Sequence, residues 1–292
     1  MIKKMHNVTV VLSSENPYVT DCNKKILLSD YYKFRPMKQK FDIKLSKNFK
    51  YKKMFYIPCE NNIYHSTVFS AFYLPFIPQD SLVLTNNSNT FKFYANHFKI
   101  KLISETGYYD VETIYYFDLF SPVYTIPSRF DTFALSLFLK STRLLCTNDS
   151  NLSKFLYIKR KSPYRNIQNG NDFEQSIISK GFSVVYMEDY TLYSQINMFF
   201  NAKFIIAVHG AGLTNIIYCK PDCAIIELKH KGMNKFLIHN CYAQLAKESH
   251  LTNYNMYFSQ YTSLSNCKSK DYNLSIDVNT LSIYIDNLLK SI

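Results

Sequence analysis

The residue types best suited to chemistry fall in one short run, Val208-His209-Gly210-Ala211-Gly212-Leu213-Thr214-Asn215. A continuous apolar stretch, 204–208, reads as a buried strand before it, and 212–218 reads as a short helix after it. Glycines in such a turn let backbone come close to a ligand, and the N–H groups at a helix start attract an anion. In a parallel sheet this place, the carboxyl end of a strand, is where ligands bind. The spacing is not Gly-x-Gly-x-x-Gly, so a nicotinamide or flavin dinucleotide is not indicated. His209 and the polar pair Thr214 and Asn215 favour a binding turn. The structural alternative is a tight turn around a hydrogen-bonded core histidine.

Arginine is scarce, at Arg35, Arg129, Arg143, Arg160 and Arg165 only, so its placement is informative. Arg160 and Arg165 flank Lys161-Ser162-Pro163 directly after an apolar strand at 155–159. Guanidinium groups bind phosphate oxygens bidentately, so two of them at one sheet edge fit a diphosphate clamp. Surface charge or a domain–domain ion pair is the alternative. Glu227 ends the next strand, 224–228, where a carboxylate can accept both hydroxyls of a ribose or cap the loop before Lys229-His230-Lys231. His65 begins an apolar helix in the first half, facing an interdomain cleft or serving as a structural histidine. Gln195, on its own, reads as an ordinary helix-surface amide.

The elements that must hold these residues form an α/β pattern. In the second half, strands at 155–159, 182–187, 204–208, 224–228 and 255–258 alternate with helices at 172–180, 191–202, 212–218 and 234–249. Gly181 is placed to end the first of these helices, and Asp277 to cap a last one at 278–290. Strands apolar on both faces imply a parallel sheet covered on both sides, hence a Rossmann-like domain. The first half carries strands at 8–12, 54–57, 82–84, 98–103 and 111–117. Its helices are expected at 63–77, 91–98 and 130–144, in a less regular pattern. The polar segment 146–153 is the best linker, giving an N-terminal domain over 1–145, a C-terminal domain over 154–275 and a terminal helix over 276–292.

The chain has 292 residues, 47% apolar and 19% charged, an ordinary globular composition. Its net charge of +12 is uneven: residues 1–60 hold 13 Lys/Arg against 5 Asp/Glu. Within 31–56 lysines interleave with Tyr and Phe, which fits an anionic lipid surface, an acidic acceptor or, less well, nucleic acid. A solvated Lys-rich face is the alternative. Seven scattered cysteines with no Cys-x-x-Cys fit free thiols in a reducing cytoplasm, and no metal site is indicated. No apolar run reaches the roughly 18 residues that span a bilayer, and the N-terminus has no signal-peptide core. A cytoplasmic location is expected, extending to peripheral contact with the inner face of a membrane if the basic stretch binds anionic lipid. No hydrolase elbow, P-loop or His-Glu-x-x-His occurs, and paired carboxylates are few, against a glycoside hydrolase.

Taken in order, Tyr157-Ile158-Lys159-Arg160, Arg165, Asn169, Gly181-Phe182, Gln195, Ala202, the run from position 209 to 215 and Ile226-Glu227 resemble the glycosyltransferase 61 family. The resemblance is strongest over 155–258, and Tyr64-His65 is similar to the family's Tyr-His-Trp segment. It implies a GT-B-like architecture, two Rossmann-like domains with parallel sheets facing across a cleft. It also implies inverting transfer from a nucleotide sugar, UDP-sugars first, to a glycan or lipid-linked glycan acceptor in polysaccharide or capsule biosynthesis, with no metal or other cofactor. On this resemblance Arg160, Arg165, His209, Gly210, Ala211, Gly212, Leu213, Thr214, Asn215 and Glu227 hold the donor. His65 is then the catalytic base, with His209 its rival. Gly170 replaces the family's glutamate, Ser66 its tryptophan, and Thr67-Val68-Phe69-Ser70-Ala71 a segment with an acidic residue. The acceptor contacts and acid/base duties of those positions are not carried over. Two other classes remain: a polysaccharide pyruvyltransferase-like enzyme using phosphoenolpyruvate, and a non-catalytic glycan- or nucleic-acid-binding protein.

Overall fold

A computed structural model describes residues 2–12, 18–20, 26–29, 48–57, 64–85, 88–105, 107–117, 132–161, 165–231, 240–263 and 272–291. The chain divides into two units, Met1–Ser141 and Thr142–Ile292.

The first unit is built on a seven-stranded sheet. Its strands are β1 (Ile2–Leu12), β2 (Tyr18–Thr20), β3 (Ile26–Ser29), β4 (Asn48–Tyr56), β5 (Leu82–Leu84), β6 (Lys101–Ile103) and β7 (Gly107–Phe117). They lie in the order β3-β2-β1-β7-β4-β5-β6. From β7 to β6 the pairing is parallel, and from β3 to β7 it is antiparallel. Only five residues join β1 to β2, and five join β2 to β3. A parallel crossover needs a dozen or more, so these strands fold back on one another. The expectation of a parallel sheet is corrected on that side. Val10, Met54, Tyr56, Tyr109 and Ile114 form the centre of its core.

Among the described residues three α-helices accompany this sheet: α1 (Tyr64–Ala71), α2 (Asn89–His97) and α3 (Thr132–Thr142). The single helix expected over 63–77 stops at Ala71, and a 3-10 turn at Leu74–Phe76 takes up Pro75, which cannot continue an α-helix. Ser88 caps α2 by accepting the Phe91 N–H at 3.3 Å. Phe138 of α3 packs against Phe72 and Tyr94, each with ring centroids 5.0 Å away. Of the basic stretch, residues 31–47 lie outside the described residues. The remainder is β4, with Lys50, Lys52 and Lys53 exposed and Lys53 Nζ 4.9 Å from the Tyr115 ring centroid.

The second unit holds β8 (Phe155–Lys159), α4 (Gly170–Ile178), β9 (Ser183–Tyr186), α5 (Leu192–Asn201) and β10 (Phe204–Val208). After these come a 3-10 helix (Ala211–Tyr218), β11 (Ala224–His230), α6 (Cys241–Glu248), β12 (Asn253–Ser263), β13 (Tyr272–Ser275) and α7 (Val278–Leu289). The sheet order is β13-β12-β11-β10-β8-β9, parallel throughout except at the β13 edge. Every residue of β10 and β11 is buried, as a sheet covered on both faces requires. Gly181, at φ +87°, ends α4, and Thr191 and Asp277 cap α5 and α7. Part of the helix expected from 234 lies outside the described residues; α6 begins at Cys241.

Two segments expected to stand apart from this unit are packed into it. Leu281 and Ile285 of α7 are buried in its core, and Lys180 pairs with Asp286 at 2.5 Å. The polar stretch 146–153 is strapped to α5. Asn197 Oδ1 accepts from the Thr147 N–H at 2.7 Å, Asn201 Oδ1 accepts from the Asp149 N–H at 3.0 Å, and Asn201 Nδ2 donates to the Thr147 carbonyl at 2.7 Å. Its polar composition suits a strap as well as a linker, because its backbone groups find buried amides as partners. Among the described residues no helix is long and apolar enough to cross a membrane.

Candidate functional site

The order of the second sheet creates a place for a ligand. β9 lies on one side of β8 and β10 on the other. The connections leaving β8 and β10 therefore diverge, and at such a divergence the carboxyl ends of the two strands are where a ligand is expected to bind. Arg160 and Arg165 follow β8, and the glycine turn follows β10.

The two arginines meet that turn. A Cβ placed on Gly210 would lie 2.0 Å from the Arg160 terminal nitrogen, so the guanidinium occupies the space that any larger residue would need. Gly210 itself is extended, with φ 171°, so close approach rather than backbone conformation calls for glycine. Arg165 adopts φ +60°, a left-handed conformation costing a non-glycine residue about 1–2 kcal/mol. From there it donates to the His209 carbonyl at 3.4 Å. A cavity of about 640 Å³ opens beside Arg160, between Lys159 and the start of α4.

Below the turn, His209 is 8% exposed, and its ring lies 5.2 Å from that of Tyr242. Its Nδ1 is 2.5 Å from Glu227 Oε1. The other carboxylate oxygen accepts from the Tyr254 hydroxyl at 2.7 Å and lies 3.2 Å from Lys229 Nζ. Glu227 and Lys229 are 0% and 1% exposed. Burial pushes the His209 imidazole below its ordinary value, although Glu227 pulls the other way. Burial alone would raise the Glu227 carboxyl, but His209, Lys229 and Tyr254 together outweigh it and hold it below the usual range. Glu227 thus lies beneath His209, with its two oxygens taken up by His209, Tyr254 and Lys229.

The rest of the turn is braced from within. Leu213, Thr214 and Asn215 are fully buried on the 3-10 helix. Asn215 Nδ2 donates to Gln195 Oε1 at 2.9 Å, and Gln195 Nε2 donates to the Met187 and Tyr190 carbonyls at 2.8 and 3.1 Å. Gln195 is therefore a tie between α5 and the turn. Ala211 and Gly212 are half-buried at the helix start, and a Cβ on Gly212 would make only ordinary contact with Ile158 at 3.5 Å. Asn169 holds the backbone of Ile276, donating at 2.7 Å and accepting at 3.2 Å. His65 falls on α1 in the first unit. Cys146, Cys219, Cys223 and Cys241 are free thiols. Among the described residues no group of three or more His, Cys, Asp or Glu side chains is gathered for a metal.

A family model described as glycosyltransferase 61 matches residues 45–226, more than half of the chain. The chain belongs to the glycosyltransferase 61 family. Membership supports glycosyl transfer as its general activity, with a sugar donor and a glycan acceptor as partners. No curated protein matches the chain. The matched span of this glycosyltransferase 61 chain runs from before β4 through the glycine turn, and Glu227 and Lys229 lie directly beyond it. Lys229 and Tyr254 are the residues that sequence reasoning missed. The available signal was spacing: positions 227 and 229 of one strand share a face.

Proposed function

We propose that the second unit binds the diphosphate of a nucleotide sugar, UDP-sugars first, and that the enzyme transfers the sugar with inversion to a glycan or lipid-linked glycan acceptor. The observation that carries this is the meeting of Arg160 and Arg165 with the Gly210 turn at the carboxyl ends of β8 and β10. Two guanidinium groups beside a helix start offer fixed positive charge where a departing diphosphate develops negative charge. Such charge replaces a metal, and GT-B-like is the fold class proposed for the enzyme. His65 is the proposed base, with His209 its rival. With Nδ1 donating to Glu227, a neutral His209 keeps its lone pair on Nε2, ready to accept a proton. On this reading Glu227 acts through His209 and not on the ribose.

Calorimetry with UDP tests the clamp. Arg165→Ala should weaken binding by about 1.5–3 kcal/mol, the cost of a lost charged hydrogen bond. Unchanged UDP affinity in both Arg165→Ala and Arg160→Ala would overturn the assignment. A nucleotide-sugar hydrolysis panel run with EDTA tests the metal question, and activity is expected to persist. Complete loss, restored by Mg²⁺ or Mn²⁺, refutes metal independence.

A further inference from the structure

Lys229 is a buried lysine two residues from Glu227 on β11, and thus on the same face of the strand. Its Nζ lies 3.2 Å from Glu227 Oε2, 3.3 Å from Asn240 Oδ1 and 3.6 Å from Met256 Sδ. A carboxylate removed from water needs a compensating cation. Two groups can provide one, from opposite oxygens: His209 on Oε1 and Lys229 on Oε2. Lys229 Nζ also meets Asn240 Oδ1 and Met256 Sδ, acceptors that suit an ammonium, so the lysine is the group built to hold the charge. We propose that Lys229 is a positioning residue: it supplies the cation for Glu227 and so leaves His209 an uncharged Nδ1–H tautomer with its lone pair on Nε2.

The other groups facing His209 act consistently with this. Arg165, from the turn after β8, adds positive charge and opposes charging of the imidazole, as Lys229 does. His230, on β11, is itself held below its ordinary value by burial and by His209. Tyr242 on α6 and Tyr254 on β12 are pushed well above theirs, chiefly by burial, so both remain neutral hydroxyls. The Cys241 thiol, pushed up to about 12 by burial, is neutral too. Among the described residues in this group Glu227 is the one anion, and Lys229 already balances it. The consequence for transfer rests on the function proposed above: a neutral Nε2 can accept a proton from an arriving hydroxyl or phosphate.

The charge state is read in the ligand-free protein by ¹⁵N NMR of the histidine rings, with His209 assigned by its loss in His209→Gln. Wild-type His209 should titrate below the ordinary histidine value and be the neutral Nδ1–H form at pH 7. In Lys229→Met, which keeps the side-chain length without the charge, His209 becomes the counterion, and its midpoint should rise by at least about one pH unit. The double variant Glu227→Gln/Lys229→Met should return it toward the wild-type value. An unchanged midpoint in folded Lys229→Met overturns the proposal. So does an imidazolium at pH 7 in the wild type, a measurement that stands even if the variant fails to fold. Because no donor is present, either result is separate from success or failure of UDP binding.

Discussion

The two sheets place their charged residues in opposite ways. In the second unit the charges sit under a strand end: Glu227 and Lys229 are buried on a strand covered on both faces, and each is matched by another side chain. In the first unit the lysines of β4 are exposed, although β4 also lies beside a change in connection direction, between β7 and β5. The antiparallel extension β1–β3 explains part of the contrast. β7, between antiparallel β1 and parallel β4, has every second residue from Gly107 to Val111 buried, which leaves the intervening positions only partly covered. A fully covered sheet leaves its strand ends as the place to meet a ligand, and buried charge there has to be paired with care. A partly covered sheet can carry charge along its length at little cost.

Three variants sharpen or break this contrast. Glu227→Ala should have the largest effect. It leaves Lys229 buried without its carboxylate, a loss of about 3–5 kcal/mol, measured by denaturant unfolding. A loss near zero would mean that the cluster is not the paired anchor described. Gly210→Ala should be intermediate. The extended backbone there accepts alanine, so the fold should persist, but the Arg160 guanidinium must move away. UDP affinity is expected to fall about tenfold, near 1.4 kcal/mol, with the melting temperature nearly unchanged. Unaltered affinity would remove Arg160 from the clamp. Replacing Lys50, Lys52 and Lys53 together by Ser should change stability least, by about 0.5 kcal/mol or less per site. The same variant should lose salt-sensitive binding to anionic vesicles while keeping UDP affinity. Intact vesicle binding would leave these lysines a solvated face.

What the sequence made legible was local. The turn from position 209 to 215, the stop at Gly181 and the cap at Asp277 each need only a few neighbouring residues to be recognised. What it hid was pairing at a distance. The edge formed by β1, β2 and β3 depends on which strands meet, and β1 finds its longest partner in β7, a hundred residues away. Gln195 looked like a surface amide because its partner Asn215 lies twenty residues on, across the sheet edge. Lys229 is hard to read because the apolar run of 224–228 leaves it in a loop, whereas the strand continues to His230.

The strap from Thr147 to Asp149 bears on how the second unit can be cut out of the chain. A fragment begun at Lys154 would keep every strand of the sheet, yet it would strip Asn197 Oδ1 and Asn201 Oδ1 of the Thr147 and Asp149 N–H groups, while their Nδ2 groups keep the Tyr193 and Asn197 carbonyls. Two side-chain oxygens on the buried side of α5 would then face water entry or go unsatisfied, at a cost of about 1–3 kcal/mol each. A fragment begun at Thr142 carries its own closure for that helix, and it is the shorter piece that should precipitate.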